Sequence, residues 1–261
     1  MTEQAAAADR GAPRVLPLPD RSPAPRLGVA VVEALVDLIV SGALAPGDTL
    51  PPELPLSQQF GVSRTVLRES IKRLEEKGLV SVGQGRGRGT VVQPTRSWNT
   101  MDRVVLKALI AHDRTLGVLD ELTVVRGQLE AAMAGETART RSPVELDILR
   151  GALEDMRVSV HDAPVFNAAD VTFHEIVMAA SGNRLAESIA RVLFERARES
   201  ARYDVATPLS LRQETLREHE RVFRAIEAGL VREAEESMRA HICDAWTRRR
   251  PPDHKGTQRL R

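Results

Sequence analysis

Glycine occupies every second position from Gly83 to Gly89, arginine fills two of the gaps at Arg86 and Arg88, and a β-prone run stands on either side, Leu79 to Val82 and Thr90 to Val92. Short β-branched runs joined through glycines read as a tight hairpin, and a glycine-rich basic tip lets the backbone approach a phosphate or a minor groove closely. What precedes the hairpin narrows the fold further. Val32, Leu35, Val36 and Ile39 recur at helical spacing until Gly42 and the Pro46-Gly47 turn stop them. Pro52 and Glu53 suit the start of a short helix carrying Leu54, Leu56 and Phe60, which Gly61 ends. Ser63 is a good N-cap for a second helix, Arg64 to Lys77, closed by Gly78. Helix, helix, helix, hairpin is the order of a winged helix-turn-helix.

On the Arg64 to Lys77 helix, about 100° per residue places Arg64, Arg68 and Lys72 on one arc and Leu67, Ile71 and Leu74 on its neighbour. A packed side beside a basic side is what a recognition helix requires, since guanidinium groups read guanine O6 and N7 bidentately in the major groove. Between Gly61 and Val92 seven Lys or Arg stand against three Glu. The whole chain carries a net charge of only +1, so the bulk charge alone gives no pull toward nucleic acid. An isolated basic stripe is usually a solvated face; the short helix, tight turn and basic wing around this one favour DNA.

The length of 261 residues, with 42% hydrophobic and 28% charged composition, supports one large core or two smaller ones. From Trp98 onward the pattern is helical, near 98–112, 118–140, 143–160, 165–181, 184–205, 209–228 and 231–248. The expected organisation is an arm at 1–26, rich in Pro and Ala and expected to be disordered; a winged helix-turn-helix at 27–94; an all-helical domain at 95–250; and a flexible basic tail at 251–261. The fold class is mainly α. One cysteine, Cys243, gives no disulfide framework, and no apolar run reaches the ~20 residues that span a bilayer. A cytoplasmic protein without a membrane partner is expected.

Two stretches are recognisable: Gly42-Ala43-Leu44-Ala45-Pro46-Gly47-Asp48-Thr49-Leu50-Pro51, and Phe60-Gly61-Val62-Ser63-Arg64-Thr65-Val66-Leu67-Arg68-Glu69. They resemble the GntR family of bacterial transcriptional regulators. The resemblance implies DNA contacts from Ser63, Arg64, Thr65 and Arg68, and from Gln84 and Gly85 at the wing, where the charge of Arg86 adds a further expected contact. Leu54 departs from the pattern, because many members place an arginine there that also reaches DNA. Residues 98–247 resemble the FadR subgroup and its helical FCD effector domain, with markers at Arg126 to Glu130, Asp170 to His174, Glu218-His219 and Met238 to His241. Trp98-Asn99-Thr100-Met101-Asp102 further resembles members that regulate sugar-acid catabolism, galactonate-responsive ones among them.

Asp170 and His174, at i and i+4, share one helix face, and His219 and His241 lie on two later helices that an antiparallel bundle can bring to the same interior point. Taken singly, each histidine reads as a core or surface residue. The resemblance implies that Asp170, His174, His219 and His241 form the Asp-His-His-His set that binds a divalent metal, and three imidazoles with one carboxylate suit Zn, Ni or Mn. Arg126, Glu130 and Asn183 are the candidate effector contacts. Arg126 either reaches a cavity or makes an ion pair; Asn183 is either a helix cap or a hydrogen-bonder in the cavity. The expected function is a homodimeric repressor, not an enzyme, that binds a pseudo-palindromic double-stranded operator and is released by a small carboxylate, a sugar acid or organic acid. A regulator that senses the metal itself, and a metal-dependent hydrolase, are the alternatives.

Overall fold

The computed structural model of the chain describes residues 24–83, 89–199 and 208–250. Residues 1–23 of the arm, the tail 251–261 and the wing positions Gln84, Gly85, Arg86 and Arg88 lie outside the described residues. Helix α1 (Ala24–Val40) takes in residues 24–26, which composition alone assigns to the arm. It is followed by α2 (Glu53–Phe60), α3 (Arg64–Glu76) and the antiparallel pair β1 (Val80–Val82) and β2 (Thr90–Val92), with Val80 opposite Val92 and Val82 opposite Thr90. The segment ahead of α2 adds an unforeseen third edge: Leu50 N–H donates to Thr90 O at 2.8 Å and Val92 N–H to Asp48 O at 2.9 Å. Val32, Leu35, Val36 and Ile39 of α1 close with Leu67, Ile71 and Leu74 of α3 over Leu79 and Val92 into one core. Burial of these aliphatic side chains, each contributing roughly 1.5–3 kcal/mol, holds three short helices that would be marginal alone.

Sequence periodicity carries a single helix from Trp98 to His112. The structure instead makes a 3-10 turn at Thr95–Ser97, a second turn closed by Asp102 N–H donating to Asn99 O at 3.0 Å, and then α4 (Arg103–His112). The helix starts late because Asp102 accepts hydrogen bonds from the Val104 and Val105 N–H groups at 3.0 and 3.3 Å, and because the stretch before it is tied to α3. Asn99 N–H donates to Lys77 O at 2.9 Å, and Lys77 also pairs with Asp102. Trp98 is buried and donates its indole N–H to Gln93 O at 2.9 Å. Trp98, Val105 and Ala108 thereby join the core of the winged unit, although all three fall after residue 94. The other side of α4 places Leu106 and Ile110 against Leu122, Leu193 and Ala197 of the helical domain.

That domain is built from α5 (Gly117–Thr140), α6 (Pro143–Val158), α7 (Ala163–Ala180), α8 (Arg184–Arg198), α9 (Leu209–Ala228) and α10 (Val231–Arg249). The predicted 184–205 helix is described only to Arg198, and residues 200–207 lie outside the described residues. Helix α5 is the axis. Leu119, Leu122, Ala131, Met133, Ala134 and Ala138 are buried on several of its faces, as expected of a helix surrounded by others. Its small residues admit α10 closely: a Cβ on Gly135 would stand 2.6 Å from the Glu235 side chain. Ser142 and Glu145 form a reciprocal capping box that starts α6 after Pro143 has set its first turn. No helix among the described residues is long and apolar enough to cross a membrane.

Gly78 ends α3 in the left-handed region at φ 72°, and a Cβ there would meet the Ser97 carbonyl oxygen at 2.0 Å. Gly78→Ala therefore adds a backbone collision to left-handed strain and is expected to destabilise the protein by on the order of 3 kcal/mol. Gly61→Ala, at φ 63° with open space around the new methyl group, is expected to cost only about 1–2 kcal/mol. Urea unfolding of the two variants checks the difference.

Candidate functional site

Helix α3 separates its two sides as its periodicity predicts. Leu67, Ile71 and Leu74 are buried, while Ser63, Arg64, Thr65, Arg68 and Lys72 are exposed. Ser63 caps the helix, accepting from Val66 N–H at 3.3 Å. Ser70, on the packed side, donates to Val66 O at 2.9 Å and to Gly28 O at 3.3 Å, which ties α3 to α1. One contact was not signalled by the sequence. Glu53, in the first turn of α2, accepts from Arg68 Nε at 2.8 Å, and the same oxygen lies 3.8 Å from Arg64 Nη2.

In the helical domain, Asp170 and His174 of α7, His219 of α9 and His241 of α10 come together, with one ligand atom from each lying within 4.8 Å of all the others. The three imidazoles are oriented alike. His174 directs Nδ1 at Glu130 Oε2 (2.6 Å), His241 directs Nδ1 at Glu218 Oε2 (2.8 Å), and His219 directs Nδ1 at the Thr215 carbonyl (2.9 Å). Carbonyls and ionised carboxylates only accept, so each Nδ1 carries a proton and each ring directs Nε2 into the centre, where a neutral imidazole offers a lone pair. Nε2 of His174 and of His241 face one another at 3.2 Å, and Nε2 of His219 is buried without a hydrogen-bond partner, 3.3 Å from Asp170 Oδ1. Lone pairs converging beside a carboxylate repel unless a cation stands between them, so this donor set fits a divalent metal ion.

A further shell fixes the carboxylates behind the histidines. Arg126 Nε donates to Glu130 Oε1 at 2.6 Å, and Arg248 grips Glu218 with two bonds of 2.8 and 2.9 Å. Burial raises the carboxyl pKa of both glutamates, but Arg126 and His174 outweigh it at Glu130, and His241 and Arg248 at Glu218, holding each at about 2. Burial, reinforced by His241, pushes His219 down to about 3; burial likewise lowers His241. His219 and His241 are thereby held toward the neutral form that binds metal.

The histidine centre forms one wall of a cavity of about 470 Å³. Arg126, Arg198 and Arg249 bring cations to it, Asn167 and Thr215 bring neutral hydrogen-bonding groups, and Glu195 and Glu199 bring acceptors. Arg126 lines this cavity while paired, buried and within its own helix, to Glu130, rather than in a surface or interhelical ion pair, and its guanidinium stands 4.2 Å from the Phe194 ring centre. Two of the expected effector contacts lie elsewhere. Glu130 is not on the cavity wall, because its oxygens are taken by Arg126 and His174. Asn183 caps α8, accepting from Ala186 N–H at 3.1 Å, beside a separate surface depression with Ala132 and Glu136. Sequence reasoning missed the orienting part played by Glu130 and Glu218, for which no local signal exists; each meets its histidine only across two packed helices.

A family model described as bacterial regulatory proteins, gntR family, matches residues 27–92, and one for the FCD domain matches residues 121–244. The chain is 30% identical to the galactonate operon transcriptional repressor of Escherichia coli, over 75% of this chain and 85% of that one. It is also 30% identical to the HTH-type transcriptional regulator LutR of Bacillus subtilis, over 78% and 93% of the two chains. Among solved structures, that of Lar, which controls expression of the Listeria monocytogenes agr system, superposes with a TM-score of 0.53 at 18% identity, covering 85% of this chain and 96% of that one. This last likeness speaks to the fold alone.

The buried ionisations fix how the metal-free protein responds to acid. An unfolded histidine protonates near 6.5 while folded His219 resists until about 3, so over that interval the unfolded state binds more protons and stability falls with falling pH. Glu130 and Glu218, depressed from 4.5 to about 2, act in the same direction: their contribution is complete above 4.5 and is lost as the pH falls toward 2. Urea-unfolding stability of chelator-treated protein is expected to decline from about pH 7 to about pH 4. The decline above pH 4.5 should be shallower in His219→Gln.

Proposed function

With the chain a member of the gntR family of bacterial regulatory proteins, carrying that family's DNA-binding domain ahead of an FCD domain, we propose that it is a homodimeric repressor released from its operator by a small carboxylate bound over a divalent metal ion. The chain is a DNA-binding transcriptional regulator and not an enzyme, as its relatives are. The observation that carries the rest is the convergence of three imidazoles and the Asp170 carboxylate, with Asp170, His174 and His241 lining a cavity that also presents Arg126. Asp170, His174, His219 and His241 would hold the ion, and zinc, with nickel or manganese as alternatives, suits this mixed nitrogen and oxygen set. Bound there, the metal would supply a fixed positive charge for an effector carboxylate.

Arg126 would grip the same carboxylate from the cavity wall, and Asn167, Thr215, Glu195 and Glu199 would take hydroxyl groups. A hydroxylated acid, such as a sugar acid, matches that mixture of donors and acceptors better than a plain hydrocarbon acid does; the galactonate operon repressor among the relatives is in keeping with this. On the DNA side, Ser63, Arg64, Thr65 and Arg68 would enter the major groove, and Gln84, Gly85 and Arg86 would follow the wing to the adjoining backbone. Two-fold symmetry would pair two such helices on a pseudo-palindrome in the cytoplasm. Leu54, 54% exposed beside Glu53, offers no cation where many family members have an arginine, so its contribution would be apolar.

Three experiments test this. Thermal unfolding of metal-loaded protein against sugar acids, hydroxy acids, dicarboxylates and amino acids should give a shift for one class, abolished by chelation and by His219→Ala. A shift from metal alone with none from any acid would instead make the ion the signal. The His174→Ala/His241→Ala double variant should lose its bound ion, as measured by elemental analysis; retained stoichiometry would place the metal elsewhere. For the DNA, Arg68→Ala should weaken binding to a duplex selected from a randomised pool by about 1–3 kcal/mol, read by fluorescence anisotropy.

A further inference from the structure

Glu53 brings a negative charge to a surface that otherwise offers cations to DNA. It sits in the first turn of α2, where the helix N-terminus favours an acid, and its Oε2 lies between Arg64 and Arg68, one helical turn apart on α3. The arginine side chains remain about 60% exposed and Glu53 37%, so the pair contributes little to stability. Its geometry is specific nonetheless. The hydrogen bond takes Nε of Arg68 at 2.8 Å, and the guanidinium's terminal pair of nitrogens, the end that matches guanine O6 and N7, makes no hydrogen bond among the described residues.

We propose that Glu53 is a positioning residue for sequence recognition, holding Arg68 by its Nε edge so that its other end reads a base, and opposing phosphate contact by either arginine. The proposal rests on the reading of α3 as the DNA-reading helix. A held guanidinium enters the groove with its orientation already set, which favours the correct base. The carboxylate also repels the phosphate backbone, which weakens sequence-independent binding, the mode that depends on phosphate neutralisation. Both effects act on the difference between specific and non-specific affinity, and specificity is that difference.

The test uses the full-length protein with two probes, a duplex selected from a randomised pool by the wild-type protein and a scrambled duplex of the same composition, each titrated over a range of salt concentrations. Glu53→Gln keeps the side-chain shape and should leave the melting temperature nearly unchanged. It should weaken binding to the selected duplex about tenfold, strengthen binding to the scrambled duplex about twofold, and steepen the salt dependence on the scrambled duplex by about one unit of log K per log salt. Glu53→Asp, which keeps the charge, should recover part of the discrimination. On the Arg68→Ala background the same Glu53→Gln change should cost no further specificity and should raise affinity for both duplexes alike, since both carry the same phosphate backbone. Equal changes on both duplexes in the Glu53→Gln single variant, or a specificity loss that persists without Arg68, would overturn the proposal. If Arg68→Ala itself binds the selected duplex as wild type does, the reading of α3 has failed, and the assignment of Glu53 falls with it.

Discussion

Three imidazole N–H groups, each given to a group that can only accept, set the interior of the helical domain. Once Nδ1 of His174, His241 and His219 is spent on Glu130, Glu218 and the Thr215 carbonyl, the opposite nitrogens must turn inward toward Asp170. Buried carboxylates cannot stand alone in a low-dielectric interior, so Arg126 and Arg248 follow as a second requirement. Helices α5, α7, α9 and α10 are thus stitched through polar groups as well as through the apolar cluster of Phe173, Val177, Val222, Met238 and Ile242. A single change in this set leaves a charge or a donor stranded, which is why the centre behaves as one unit.

The same economy of parts links the two domains. Helix α4 gives Val105 and Ala108 to the core beneath α1 and α3, and Leu106 to the cluster with Leu193 and Ala197 of α8. Helix α8 in turn gives Phe194, Glu195 and Arg198 to the cavity. The joint is therefore packed on both sides, and His112 adds a 2.6 Å contact to Asp37 of α1. One helix supports the DNA-reading unit, and the helix against which it rests is a wall of the ligand cavity.

Local order in the winged unit was legible because its signals are local. Ser63 and Gly61 mark helix ends by the hydrogen bonds and backbone angles they permit within a few residues, and Leu67, Ile71 and Leu74 share a face by helix pitch alone. Resemblance to a known family supplied what pitch could not, grouping Asp170 with three histidines spread over three helices. The start of α4 differs for the converse reason: periodicity from Trp98 to His112 is compatible with a helix, but tertiary bonds from Lys77 hold the first part of that stretch in a turn.

The amino-acid sequence by itself determined the element order, the basic side of α3 and the chemical types available to a metal centre, because each follows from spacing along one helix or one turn. Only the tertiary structure decided what those groups face. It committed Glu130 to orienting His174 and turned Asn183 to capping α8. It also set Glu218 behind His241 and placed Glu53 against Arg68. Each of these depends on the distance between side chains on different helices, which is fixed by packing of the whole bundle and leaves no trace in local sequence.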